Sequence, residues 1–293
     1  MKKILGILLV VVLVVGLLPL VAGCSSDTVD PLAAKVRLKV GTTTSLYDTG
    51  LWSYLEPKFE EMYDCEVDIL SLGSGAAFEY AKKGDIDVLT IHSKADELKF
   101  IDDGYGIERV PFAFNYFLIV GPESDPAGIK DMSPADALKK LMETGAGTFV
   151  SRGDNSGTHS KEKAIWAEAG YDYATQVVGA GDWYVEAGGG MGATLTMANE
   201  KNAYTLTDMG TYVSYKSKLN LMPIVNSGSI LLNVYSVIVV NPDTIKTLKH
   251  ADLAQKMVEF LASPEIQELI GKYGMDAYGI QLFTPCAGNE PTQ

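Results

Sequence analysis

Nine consecutive residues, Ser151-Arg152-Gly153-Asp154-Asn155-Ser156-Gly157-Thr158-His159, collect donors suited to holding a small anion. Ser156 and Thr158 carry hydroxyls and are favoured helix caps. Arg152 is a charged, fork-shaped donor. Gly153 and Gly157 let the backbone approach a ligand closely. The segment lies between a predicted strand and a predicted helix. There the first backbone N–H groups lack helical partners and the helix dipole is positive. Two readings stand. Arg152, Ser156, Gly157 and Thr158 form an anion nest, or the segment is an ordinary N-cap with Arg152 in a salt bridge. Two further turns favour the nest: Thr43-Thr44-Ser45, and Gly73-Ser74-Gly75 with Ser74 as its hydroxyl donor.

The elements that position these turns follow from hydrophobic spacing. Residues 37–40 alternate as a short strand and run into the polar turn 41–45. Residues 50–62 carry Leu51, Trp52, Leu55, Phe59 and Met62 at helical spacing. Strands at 66–70 and 87–91 flank a helix at 76–83. This β-α-β-α-β run implies a parallel sheet with helices on both faces. Ligands bind at the carboxyl ends of such strands, where the first two turns lie. Apolar strands at 112–120 and 231–240 bracket a second α/β block. That block has helices at 134–143 and 158–169, strands at 148–151 and 203–206, and a Gly-rich helix start at 188–192. Amphipathic helices at 253–262 and 266–273 close the chain. The reading is an α/β protein of two lobes with two hinge crossings and a ligand cleft between them. Residues 36–113 plus 236–293 would form lobe I, and 114–235 lobe II.

Enzyme signals are lacking. There is no G-x-S-x-G elbow, no Walker A sequence and no spaced His/Cys metal set. His92, His159 and His250 are scattered. No catalytic residue, cofactor or metal ion is expected. The Arg-Gly-Asp tripeptide at 152–154 is better explained by the anion nest.

The first residues address the compartment. Lys2 and Lys3 precede an uncharged run, residues 4–20, which ends at Val21-Ala22-Gly23-Cys24. A basic start, an apolar run and a small-residue site describe an export signal over 1–23. VAGC resembles a lipobox, which implies lipidation of Cys24 and a tether over 24–35. The alternative is an uncleaved anchor helix. Both place the remainder outside the cytoplasmic membrane, held to its outer face. The net charge of −13 disfavours nucleic acid as a partner. It does not exclude an anion site, which depends on local donors. A monomer is expected. Cys65 and Cys286 either pair or remain buried thiols.

Seven segments together resemble the tungstate-binding proteins of TupA type, which serve ABC transporters. They are GTTTSLYDTGLW (41–52), KKGDIDVLTIHS (82–93), DDGYGIERVPFAFNYFLIVGP (102–122), FVSRGDNSGTHSKEK (149–163), WYVEAGGGMGATL (183–195), AYTLTDMGTYV (203–213) and VYSVIVVNP (234–242). The resemblance implies a type II periplasmic-binding fold with the ion buried between lobes. It implies ligand contacts from Thr43, Thr44, Ser45, Arg152, Ser156, Gly157 and Thr158, with Ser74 added by position. It also implies an ABC permease as partner. Two positions depart from the family pattern: Gly189 stands where Gln is usual, and Met209 where Arg is usual.

Tungstate at neutral pH is a deprotonated tetrahedral dianion that only accepts hydrogen bonds. Hydroxyls, N–H groups and one Arg match it. Molybdate has nearly the same size and charge. Phosphate is the principal rival, since it keeps a proton that Asp154 could accept. Asp154 could instead hold Arg152 in place. A sensor that works with no transporter is the remaining alternative.

Overall fold

A computed structural model describes residues 35–291. The expected signal peptide over 1–23, the lipidation site Cys24 and the tether up to residue 34 lie outside the described residues. In chain order the first elements are β1 (Val36–Thr43), α1 (Thr44–Asp48), α2 (Leu51–Tyr63), β2 (Cys65–Leu72), α3 (Ser74–Lys83), β3 (Val88–Ile91), α4 (Lys94–Asp102) and β4 (Gly106–Pro122). The central block comprises α5 (Pro134–Thr144), β5 (Phe149–Ser151), α6 (Gly157–Glu168), β6 (Tyr184–Glu186), α7 (Met191–Glu200), β7 (Thr205–Asp208), α8 (Met209–Tyr215) and β8 (Leu221–Val225). The chain returns through β9 (Leu232–Val240), α9 (Ala251–Ala262), α10 (Pro264–Lys272), α11 (Met275–Tyr278) and β10 (Thr284–Pro285).

β1 continues through Gly41, Thr42 and Thr43, where the sequence suggests a turn. The reason is register. Gly41, Thr42 and Thr43 pair with Leu70, Ser71 and Leu72 of β2, and Gly41 and Thr42 also face β3. Gly41 is needed there, because a Cβ would fall 2.6 Å from Ile86 Cδ1. The donor-rich stretch therefore begins at the carboxyl end of a central strand.

The expected parallel sheet is mixed. β1 pairs parallel with β2 and β3, but β9 runs antiparallel to both β3 and β4. The strand returning from the central block lies beside the strand that entered it, so the two must oppose. β4 is a seventeen-residue strand, far longer than 112–120. Its earlier part pairs with β9 and its last part with β7 and β8. Its register slips between Pro111 and Ala113, where proline supplies no N–H to the ladder.

Apolar packing divides along these crossing strands. Trp52, Phe59, Phe112, Tyr235 and Phe260 belong to one buried cluster, and Phe78, Ile86 and Phe100 to another, which takes the alternate residues of β9 and so covers the other face of the same sheet. Phe117, Phe149, Trp166 and Tyr204 form a third, with Leu118, Val150 and Leu195 in a fourth. The first pair draws on chain before Phe114 and after Asn233, the second pair on the chain between. Two α/β lobes thus share β4 and β9. Cys65 and Cys286 are buried free thiols. Among the described residues no helix is long and apolar enough to cross a membrane.

Candidate functional site

Three helix starts present the hydroxyls. Thr43 caps α1 with extended backbone, and its Oγ1 accepts the Leu46 N–H at 3.2 Å. Ser156 caps α6 in the same way, accepting the His159 N–H at 3.2 Å. Gly153 (φ 63°) and Asn155 (φ 56°) take left-handed conformations that reverse the chain between β5 and α6. The first N–H groups of α6, at Gly157 and Thr158, have no carbonyl within the helix to bond.

Arg152 is the centre of the arrangement. It follows β5 and is only 3% exposed. Its Nη2 donates to Thr44 Oγ1 at 3.1 Å, which joins the second lobe to the first. Its Nη1 donates to Thr158 Oγ1 at 3.4 Å. Its Nε bonds the Gly189 carbonyl at 3.4 Å. Asp154 braces the same guanidinium, with Oδ2 lying 2.8 Å from Nη2. The other Asp154 oxygen accepts the Ser156 N–H at 3.1 Å. Both Asp154 oxygens are therefore engaged in holding Arg152 and the loop.

Ser74, at the start of α3, is 2% exposed, and its Oγ has no hydrogen-bond partner. A buried, unmatched hydroxyl costs about 1–3 kcal/mol. It is a donor set for an acceptor. Gly75 beside it, and Asn155 and Ser160 of the second lobe, line one cleft of about 360 Å³. The start of α3 thus opens toward that of α6.

The structure brings Thr44, Arg152 and Thr158 into direct contact, with Ser156 and Gly157 alongside. Thr43 and Ser45 are neighbours at 3.3 Å between hydroxyl oxygens. Ser45 bonds His92 Nε2 at 3.0 Å, and His92 Nδ1 bonds Asn233 Oδ1 at 2.8 Å. A Cβ on Gly157 would fall 2.9 Å from the His92 ring. His92 and Asn233 are not among the residues expected from sequence. The signal that points to His92 is its position directly after β3, at a strand's carboxyl end.

Burial holds the His92 imidazole down to about 4, so it is neutral. Lys161, on α6, donates to the carbonyls of Ile230 and Leu232 at 2.7 and 3.1 Å, and burial lowers its amine to about 8. Asp208 is buried as the cap of α8, accepting the Thr211 N–H and hydroxyl at 2.8 and 2.7 Å. Burial raises its carboxyl, against the pull of Arg152. Of the two departures from the family pattern, Gly189 touches the donor set through its backbone and Met209 packs in an apolar cluster. Gly189 gives its carbonyl to Arg152 Nε, and a Cβ there meets only Ala193 Cβ at 3.7 Å and the Ala187 carbonyl oxygen at 4.0 Å. Met209 packs on the apolar cluster of Leu118 and Leu195.

Two α/β lobes on shared strands, with donor-rich helix starts facing across a cleft, define a periplasmic binding protein. Residues 26–265 match the family described as PBP superfamily domain. The chain belongs to that superfamily and, within it, to the family of the tungstate-binding protein TupA of Peptoclostridium acidaminophilum. It is 42% identical to that relative over 295 residues, covering 98% of this chain and 99% of the relative. Among solved structures, the tungstate-binding protein TupA from Desulfovibrio alaskensis G20 is 40% identical. The match covers 86% of this chain and 99% of that one, with a TM-score of 0.73. The tungstate ABC transporter structure from Geobacter sulfurreducens is 45% identical, with coverage of 81% and 98% and a TM-score of 0.72.

Proposed function

We propose that this chain captures tungstate outside the cytoplasmic membrane and delivers it to an ABC importer, held at the membrane through lipid on Cys24. The observation that carries this reading is Arg152, buried where the donor-rich turns of both lobes meet. Thr43, Thr44, Ser45, Ser74, Ser156, Gly157 and Thr158 would supply donors around the ion. A tetrahedral dianion accepts on every face, and this set offers hydroxyls and N–H groups. The nearest carboxylate, Asp154, is already bonded through both oxygens. A hydrogenphosphate proton would find no free acceptor there, which favours tungstate over phosphate.

Binding proceeds by closure. In an open form the two sets of helix starts are hydrated and apart. The ion replaces the water and draws the lobes together about β4 and β9, and exclusion of water strengthens each bond. A permease then reads the closed shape. The chain's role is binding, with no chemical step.

Calorimetric titration with tungstate, molybdate, sulfate and phosphate tests the reading. Tungstate is expected to bind tightest. Phosphate binding without tungstate binding would overturn it.

A further inference from the structure

The two strands shared by the lobes carry a buried polar contact that the anion site does not explain. Asn115 on β4 and Asn233 on β9 are register partners at the point where one pair of apolar clusters gives way to the other. Both side chains are buried. Asn233 Nδ2 donates to Asn115 Oδ1 at 2.9 Å and to the Tyr235 hydroxyl oxygen at 2.8 Å. Both amide hydrogens are thus engaged, and the Asn233 carbonyl oxygen faces His92 Nδ1 at 2.8 Å.

With the Asn233 amide in this orientation, the direction of each hydrogen bond around His92 follows. A carbonyl oxygen can only accept, so His92 must donate from Nδ1. The imidazole is neutral, so Nε2 carries a lone pair, and the Ser45 hydroxyl donates to it across 3.0 Å. Ser45 Oγ then offers lone pairs to Thr43 Oγ1 at 3.3 Å. The ring packs against Tyr235 and Phe117 in tilted arrangements, with centroids at 5.0 and 6.1 Å. Gly157, at the start of α6 in the other lobe, abuts its edge.

We propose that His92 is a positioning residue that couples the crossing strands to the first anion-binding turn, through Asn233 on one side and Ser45 on the other. The proposal rests on the oxyanion-binding reading of the cleft. When β4 and β9 twist during closure, Asn233 moves the imidazole, and the imidazole sets the Ser45 hydroxyl. Ser45 gives its hydroxyl hydrogen to His92, so its donor toward the ion is the backbone N–H in the first turn of α1. Thr43 is the hydroxyl free to turn from Ser45 to the ion. The relay makes the first turn ready for the ion only when the strands and Gly157 are in their closed arrangement.

The first test needs no ligand. Nitrogen-15 NMR of histidine-labelled protein reports the His92 tautomer. The expected state is hydrogen on Nδ1 and none on Nε2, and the opposite tautomer overturns the relay. The second test compares His92→Phe with His92→Gln, whose amide can both donate and accept. His92→Phe is expected to weaken tungstate binding about tenfold, the effect of leaving buried hydroxyl and amide groups unmatched. It should also reduce the compaction seen by small-angle X-ray scattering on adding tungstate. His92→Gln is expected to restore both. Equal losses in the two variants, or loss of melting temperature without change in compaction, would refute the coupling. If unmodified protein binds molybdate or phosphate and not tungstate, the proposed ligand fails. The tautomer and the Phe/Gln comparison, repeated with the ion that binds, still decide the relay.

Discussion

Replacing Gly210 by Ala places a methyl group between the lobes at a point outside the donor set. Gly210 lies in the first turn of α8, and a Cβ there falls 2.5 Å from Thr49 Cγ2 of the first lobe. It also falls 3.2 Å from Asp208 Oδ1. Thr49 cannot easily swing away, because its hydroxyl donates to the Leu46 carbonyl at 2.7 Å in a buried setting. Reaching ordinary contact at 3.4 Å or more requires α8 to withdraw by roughly 1 Å. Overpacking of this kind costs about 1–3 kcal/mol. That cost falls on the closed form, since opening relieves it. At 1.4 kcal/mol per factor of ten, tungstate binding should weaken about 5- to 150-fold. Within α8 itself the change is favourable, by up to ~1 kcal/mol for Ala over Gly in a helix. Thermal unfolding of the ligand-free variant should therefore be unchanged or raised, while calorimetry shows weaker binding. Adding Thr49→Ser removes Cγ2 and keeps the hydroxyl, and the double variant should recover affinity. Undiminished binding by Gly210→Ala, or no recovery with Thr49→Ser, would refute the closure argument.

Three further outcomes are expected. Arg152→Ala should weaken tungstate binding by at least about a hundredfold, since buried charge-assisted bonds contribute ~1.5–3 kcal/mol each; unchanged affinity in a titration would remove the second-lobe site. Ser74→Ala should leave the melting temperature of ligand-free protein unchanged or raised, because it removes a buried hydroxyl that bonds nothing in the protein, yet weaken binding about tenfold. Glu162 is buried, accepts from Ser151, Trp166 and Tyr184, and is raised from 4.5 to about 7 by burial. A carboxyl raised on folding stabilises fully below its ordinary value and loses that contribution as pH rises through about 7. Glu162→Gln should therefore raise the melting temperature at pH 8, by the equivalent of up to ~3 kcal/mol, and leave it nearly unchanged at pH 4.

The lobes and their donor turns were legible because each rests on a local pattern. Helical spacing gives α2, strand length and apolarity give β4 and β9, and glycine next to a hydroxyl marks the helix starts. What escaped depends on partners far apart in sequence. Residues 41–43 look like a turn until β2 and β3 are placed on either side of them. The early part of β4 carries Glu108 and Arg109 and shows no clean alternation, so its pairing with β9 decides its conformation. His92 and Asn233 are separated by 141 positions, and no spacing rule links them. Asp154 could not be assigned from sequence, since its role depends on where the Arg152 guanidinium points. The orphaned Ser74 hydroxyl is likewise visible only once everything else has been paired.

The place of β9 also bears on the order in which this chain can fold. β9 sits between β3 and β4, inside the first lobe's sheet, yet it follows every residue of the second lobe. The second lobe draws its buried clusters from one continuous stretch, Phe117 to Leu231. It can collapse through contacts within that stretch. The first lobe must hold an exposed edge on β3 until Val234 to Val240 arrive, which is a slow, long-range pairing. Refolding should therefore show protection of amides in β5 and β7 before those in β1 and β3. The strand shared by both lobes reaches its own lobe only after every residue of the second lobe has passed, with α9, α10, α11 and β10 still to follow.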